Sequence, residues 1–210
     1  MQQSLHGLYA ITGTPLATTQ QLVAQVSSAI EGGARTVQYR DKSGDQKRRR
    51  KQAGALRALC QQRGTLFIIN DDIELTLAVE ADGVHLGKDD GSLAQARQQL
   101  GNRIIGVSCY NDWPRAEAAQ TAGADYVAFG AFFPSSTKPD APRATVDLLE
   151  KARAELTIPC VAIGGITPAN GGPLVQAGAN MLAVVDGIFG QDDIARAARR
   201  YAELFNELTT

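Results

Sequence analysis

The chain has 210 residues, a formal net charge of −1 and a 44% apolar fraction, enough length and apolar content to bury one sizeable core. The balanced charge gives no global pull toward nucleic acid or an anionic membrane, and no apolar run approaches the roughly 20 residues that span a bilayer. Three cysteines (Cys60, Cys109, Cys160) without CxxC spacing point to a reducing cytoplasm, not to a disulfide framework or a structural zinc site.

Leu8 to Thr12 reads as a first strand, ended by Gly13 and Pro15. Thr18 or Thr19 can cap a helix with apolar positions at Leu22, Val23, Val26, Ala29 and Ile30, stopped by Gly32 and Gly33. Arg35 to Arg40 alternates as a strand does. A long polar helix from Asp45 to Arg63 is closed by Gly64. Leu66 to Ile69 is a buried strand that stops abruptly at Asn70-Asp71-Asp72; polar groups in such a run belong at its carboxyl end, where water or a ligand meets them. A short helix over Ile73 to Glu80 precedes the strand Val84 to Leu86, which ends in Gly87-Lys88-Asp89-Asp90. Leu93 to Leu100 is helical, Ile104 to Ser108 is the fifth strand, and Pro114 suits the first turn of a helix running to Thr121. Tyr126 to Phe129 is the sixth strand, and the long loop from Gly130 to Arg143 carries three prolines. Thr145 caps a helix to Leu156, Cys160 to Ile163 is the seventh strand, and Thr167-Pro168 begins the next helix. Met181 to Val185 is the eighth strand, and a final helix ends near Leu208.

Strands alternating with helices pair in parallel through crossovers. Gly33-Ala34, Gly123-Ala124 and Gly178-Ala179 share one helix-stop-then-strand pattern, with Ala81-Asp82 a looser copy, and they precede strands two, six, eight and four. A signature on every second strand fits the layering of an eightfold barrel, so the expected fold is α/β, a single (β/α)8 TIM barrel over residues 1–210. A doubly wound open sheet competes, but its nucleotide fingerprints G-x-G-x-x-G and G-x-x-x-x-G-K-[ST] are absent. Met1 to His6 has no basic-then-apolar order of a signal peptide.

Candidate chemistry gathers where strands end. Gln38, Arg40 and Lys42 alternate after strand two and point one way; an amide with two cations suits a phosphate or diphosphate better than a set of surface salt bridges. Asp71, Asp72, Asp89 and Asp90 offer four carboxylates, of which magnesium uses one or two, so at least two have other duties. Asp72 can cap the following helix, and Asp89 or Asp90 the one from Ser92. Ser135-Ser136-Thr137-Lys138 can close over an anion, and the alternative for that loop is a linker. Gly164-Gly165 opens bare backbone to an anion at what reads as a helix start; Val185-Asp186 is the matching loop after strand eight. His85 reads as a satisfied core or rim group, Cys109 lacks a histidine partner for nucleophilic work, and the basic run Lys47 to Lys51 reads as the solvated face of a helix.

As an ordered set, Gln38-Tyr39-Arg40-Asp41-Lys42, Asn70-Asp71-Asp72, His85 to Asp90, Gly106-Val107-Ser108, Pro134 to Lys138 and Gly164 to Thr167 resemble the thiamine-phosphate synthase family over nearly the whole chain. The resemblance implies a cytoplasmic (β/α)8 barrel that joins hydroxymethylpyrimidine diphosphate to a thiazole phosphate, or its carboxylated form, and releases pyrophosphate. It implies Asp71 and Asp90 as ligands of one magnesium ion. Gln38, Tyr39, Arg40, Asp41, Lys42, Asn70, Ser108 and Lys138 would hold the pyrimidine diphosphate, with Arg40, Lys42, Lys138 and Ser108 acting in catalysis. Ser135, Ser136, Thr137, Gly165, Val185 and Asp186 would hold the thiazole phosphate. The partners implied are small-molecule substrates, with no nucleic acid and no membrane; a homo-oligomer is allowed. The chain departs from the family pattern at Lys88, often glutamine, at Asp186, often serine, and at Gly13, often aspartate. A thiazole tautomerase or a non-catalytic thiazole-phosphate sensor on the same barrel are the competing readings; a tautomerase would lack the paired aspartates and the Arg40-Lys42 pair.

Overall fold

The computed structural model describes residues 5–13, 18–88, 90–134 and 143–206. Eight strands, β1 (Gly7–Ile11), β2 (Ala34–Tyr39), β3 (Leu66–Asn70), β4 (Gly83–Leu86), β5 (Ile104–Tyr110), β6 (Tyr126–Phe129), β7 (Cys160–Ile163) and β8 (Met181–Val184), pair in sequence order, and β8 pairs with β1. Every pairing is parallel, so the sheet closes into a (β/α)8 barrel. Between and after the strands lie α1 (Thr19–Glu31), α2 (Gln46–Arg63), α3 (Ile73–Ala78), α4 (Leu93–Leu100), α5 (Trp113–Thr121), α6 (Val146–Glu155), α7 (Gly172–Ala177), α8 (Asp186–Phe189) and α9 (Ile194–Glu203). A chain shorter than the usual barrel length of about 250 residues closes because its strands are brief and α3 and α7 have only six residues each.

The helix boundaries follow local chemistry. Thr18 and Gln21 form a reciprocal capping box at α1. The side chains of Asp45, Asp72, Asp112 and Asp193 each accept the N–H three residues on, at the starts of α2, α3, α5 and α9. Gly64 ends α2 in the left-handed conformation that a Cβ disfavours. Two expectations need correction. α7 starts at Gly172, not at Thr167-Pro168, because Asn170 Oδ1 accepts from the Thr167 N–H at 2.7 Å and holds that stretch as a turn. β5 runs on past Ser108 to Tyr110, with a register shift against β6.

Apolar side chains fill two layers. Inside the barrel, Tyr9, Ile11, Ile68, Tyr126, Ala128, Val161, Met181 and Ala183 pack together. Outside it, residues such as Val37, Phe67 and Ile69 meet Leu22, Val26 and Leu56 of the helix ring. Burial of these surfaces is the main source of stability, at roughly 25 cal/mol for each Å² removed from water.

Candidate active site

The segments that follow the eight parallel strands all leave from the same end and so share one mouth of the barrel. Lys42, beyond β2, pairs with the carboxylate of Asp71, just beyond β3. Asn70 Nδ2 donates to the same oxygen at 2.6 Å. Asp71 takes a left-handed backbone (φ 64°), which aspartate tolerates better than most residues, and its N–H is tied to the His85 carbonyl at 2.8 Å. Asp90 comes from the next loop. It hydrogen-bonds the Asp71 carboxyl and accepts from the Gly87 N–H at 2.6 Å. A Cβ on Gly87 would stand 2.8 Å from Asp90 Oδ2, so a glycine is what lets this carboxylate fold back.

Burial works to raise both carboxyls. At Asp71 the hydrogen bonds with Asp90 and Lys42, together with the Lys42 charge, outweigh it and hold the group below the ordinary range. At Asp90 the neighbouring Asp71 adds to burial, and the group is pushed up. Two facing carboxylates with split affinities for one proton have the single Lys42 charge between them as counter-charge among the described residues. Hard oxygen donors of this number fit magnesium, which takes one or two carboxylates and completes its shell with water and phosphate oxygens. Among the described residues no cluster of three or more His, Cys, Asp or Glu forms, so a cation here would depend on this pair. Asp72 stands apart: it caps α3 and pairs with Arg49 at 2.7 Å. Asp89 lies outside the described residues.

Deeper in the mouth, hydrogen bonds cross the barrel. Gln38 Nε2 donates to the Tyr9 hydroxyl at 2.7 Å, and Tyr9 lies 2.8 Å from the Tyr126 hydroxyl. Tyr126 lies 3.0 Å from His85 Nδ1, and His85 Nε2 lies 2.9 Å from Ser108 Oγ. Gly106 makes this possible, because a Cβ there would overlap the Tyr126 ring. Arg115 then donates to the carbonyls of Ser108 (2.7 Å) and Gly87 (3.1 Å), tying the ends of β5 and β4. Arg40 is held by its backbone, whose N–H donates to buried Thr12 Oγ1 at 2.9 Å.

Residues 8–188 match the family model described as thiamine monophosphate synthase. The chain belongs to that family. It is 52% identical over 206 residues to the thiamine-phosphate synthase of Acidithiobacillus ferrooxidans, covering 96% of this chain and 95% of that one. It is 52% identical to the thiamine-phosphate synthase of Chromobacterium violaceum, covering 98% and 99%. The solved thiamine phosphate pyrophosphorylase of Pyrococcus furiosus superposes with a TM-score of 0.88 at 32% identity, covering 99% of each chain.

In this thiamine monophosphate synthase family member, not every residue named from the sequence reaches the mouth. Tyr39 and Asp41 alternate with Gln38, Arg40 and Lys42, and their side chains face the other way. The Tyr39 hydroxyl donates to Gln52 Oε1 of α2 at 2.9 Å, and buried Asp41 pairs with Arg48 at 3.2 Å, so both side chains belong to the helix ring. Gly164 and Gly165 make room for a neighbour: a Cβ on either would collide with Ala131 or with the Phe133-Pro134 backbone of the loop after β6. The Gly165 carbonyl accepts from Asn170. Gly165 therefore sits directly beneath the start of the loop carrying Ser135, Ser136, Thr137 and Lys138, which lie outside the described residues. Val185 and Asp186 begin α8, a four-residue helix that no periodicity could announce. Two departures from the family pattern are neighbours, since a Cβ on Gly13 would lie 3.8 Å from Asp186 Oδ1. Sequence reasoning missed Tyr9, Tyr126 and Arg115. A tyrosine on a short barrel strand opposite a glycine was the available signal for Tyr126.

Proposed function

We propose that this chain condenses a hydroxymethylpyrimidine diphosphate with a thiazole phosphate, or its carboxylated form, to give thiamine phosphate and pyrophosphate. The observation that carries the reading is the Lys42–Asp71–Asp90 cluster with Asn70 at the barrel mouth: facing carboxylates beside a cation suit a diphosphate with its metal, and a tautomerase has no use for them. Asp71 and Asp90 would hold one magnesium ion, which when bound neutralises charge on the diphosphate oxygens.

The carbon–oxygen bond to the diphosphate breaks with its electron pair going to the leaving group. The electron-rich aminopyrimidine stabilises the cation left behind. The thiazole nitrogen then gives its lone pair to that carbon, and no proton moves in either step. The chain's task is therefore electrostatic. Arg40, Lys42 and Lys138 oppose the negative charge that grows on the leaving diphosphate. Asn70 orients it, while Gln38 and Ser108 hold the pyrimidine ring. Ser135, Ser136, Thr137, Gly165 and Val185 would take the thiazole phosphate, Asp186 contributing through its backbone. Closure of the Ser135 to Lys138 segment would shut out water before the cation forms.

Small-molecule substrates follow from this reading. Among the described residues no helix is long and apolar enough to cross a membrane. Three buried, unpaired thiols support a reducing cytoplasm as the compartment. The test mixes both substrates with magnesium and the purified chain and measures thiamine phosphate. Product that disappears in EDTA and returns with added magnesium is expected; no product from folded chain, or full turnover in EDTA, would falsify the proposal.

A further inference from the structure

The buried chain of hydrogen bonds from Gln38 to Ser108 has a direction. Gln38 Nε2 donates to the Tyr9 hydroxyl, so the hydrogen of Tyr9 must go elsewhere, and its other partner is Tyr126. Tyr126 then accepts from Tyr9, and its own hydrogen is left for His85 Nδ1. A nitrogen that accepts carries no hydrogen, so the imidazole bears its proton on Nε2 and donates to Ser108 Oγ. Burial pushes both phenols far above their ordinary range, so each keeps the hydrogen this account needs. An imidazolium would break the order: Tyr126 would receive two hydrogens and keep a third with no acceptor. At the Ser108 end, among the described residues, no acceptor takes the hydroxyl hydrogen, and Ser108 is partly exposed. At the Gln38 end one amide N–H is engaged by Tyr9, which turns the nitrogen toward the barrel interior and leaves Oε1 as the acceptor for a ring.

We propose that Tyr9, Tyr126 and His85 are positioning residues that fix the hydrogen-bond polarity of the ring site, Gln38 as acceptor and Ser108 as donor, and so select an aminopyrimidine over its oxo counterpart. This rests on the reading above that the pyrimidine lies between Gln38 and Ser108. An aminopyrimidine offers an N–H donor from its exocyclic amine and bare ring nitrogens as acceptors. That pattern complements an acceptor at one end and a donor at the other. The oxo tautomer exchanges the amine for a carbonyl, which meets Gln38 Oε1 acceptor to acceptor, and places a hydrogen on a ring nitrogen, which Ser108 can meet only by turning its remaining lone pair to it. Discrimination of this kind is strong because the mismatch leaves buried polar groups unpaired. The direction is set at Gln38, far from Ser108, and travels through side chains that touch neither reacting carbon.

The relay is tested first without substrate. The chain contains two histidines, His6 and His85, so a nitrogen-15 spectrum of its imidazoles is assigned with His6→Gln alone. The intact protein at neutral pH is expected to show His85 with a bare Nδ1 and a protonated Nε2. A protonated Nδ1, or an imidazolium, overturns the relay, and this outcome does not depend on any enzymatic activity. The second arm compares the diphosphate esters of the amino and oxo pyrimidines in wild type, Tyr126→Phe and Tyr9→Phe. Each variant should lose about tenfold of the preference for the amino ester, chiefly through KM with kcat changed less than about threefold, as expected for one hydrogen bond misdirected and the reacting groups intact. In Tyr126→Phe the His85 signals should become those of mixed tautomers. Unchanged preference in a folded variant overturns the specificity claim. Absence of thiamine phosphate from the wild type would instead defeat the proposed function and leave the tautomer result standing.

Discussion

Asp71 accepts from Asn70, pairs with Lys42 and meets Asp90, so its charge is shared among three partners at the mouth. Asp71→Asn should lower turnover at least about a hundredfold, the scale of losing one strong electrostatic contributor, with an unchanged unfolding transition; steady-state kinetics beside thermal melts would check it. Asp41 sits on the opposite side of the strand end and is a stability residue. Burial acts to raise its carboxyl, yet hydrogen bonds from Ser43 and Arg48 and the Arg48 charge hold it below the ordinary range. Its contribution is therefore present above the unfolded value of about 3.9 and is lost as the pH falls through the lower folded value. Asp41→Asn should cost about 1.5–3 kcal/mol at neutral pH, and urea titrations should show that deficit shrinking below about pH 4. Alternation along Gln38 to Lys42 already separates the inward trio from Tyr39 and Asp41; it was the family motif, a continuous string, that assigned all five to the ligand. His85 was legible as a satisfied group, but its partners were not, because Ser108 and Tyr126 lie on other strands further along the chain.

At the scale of elements, the repeat seen in the sequence acquires a physical meaning. Gly33, Gly123 and Gly178 all have positive φ, and in the fourth copy Glu80 takes the same left-handed turn at φ 54°. Two residues on, Asp82, Asp125 and Asn180 each accept the N–H that opens the preceding strand, from Phe67, Ile105 and Cys160. The motif is a turn that closes the floor of the barrel. Asp125→Ala removes the acceptor for Ile105 N–H and a partner of Arg97, and should destabilise the fold by about 1–3 kcal/mol in chemical denaturation. The boundary of α7 was misplaced because Pro168 looks like a helix start until Asn170 is seen bonding back to Thr167, and Pro173 held the better signal. At Gly165 an added Cβ would push against the Pro134 carbonyl. Gly165→Ala should raise KM for the thiazole phosphate about tenfold, about 1.4 kcal/mol, while KM for the pyrimidine substrate stays within about twofold; varying each substrate separately would show it.

For the whole molecule, strand count and order were readable because each strand is a short apolar run bounded by turn residues, and a parallel order then leaves few topologies. Closure was not readable residue by residue, since the β1–β8 pairing joins the two ends of the chain. The thiols report on that closure. Cys60 lies on the buried face of α2, whereas Cys109 and Cys160 lie in a separate cluster, and burial pushes Cys60 and Cys109 up to about 12. A barrel that opens as one unit should leave all three unreactive toward a thiol reagent in the native state and expose them at a single rate in denaturant; two rates would mean that its halves open independently.

The two neighbouring arginines of α2 that hold Asp41 and Asp72 work as a gauge. One grips the segment leading to Lys42 and the other the segment behind Asp71, so consecutive steps of a single spiral measure the gap between cation and carboxylate. Slipping one extra residue into the spiral ahead of them would swing both guanidinium groups by about 100° and release both segments together. That part of the chain can change its outer face freely, but its count is locked.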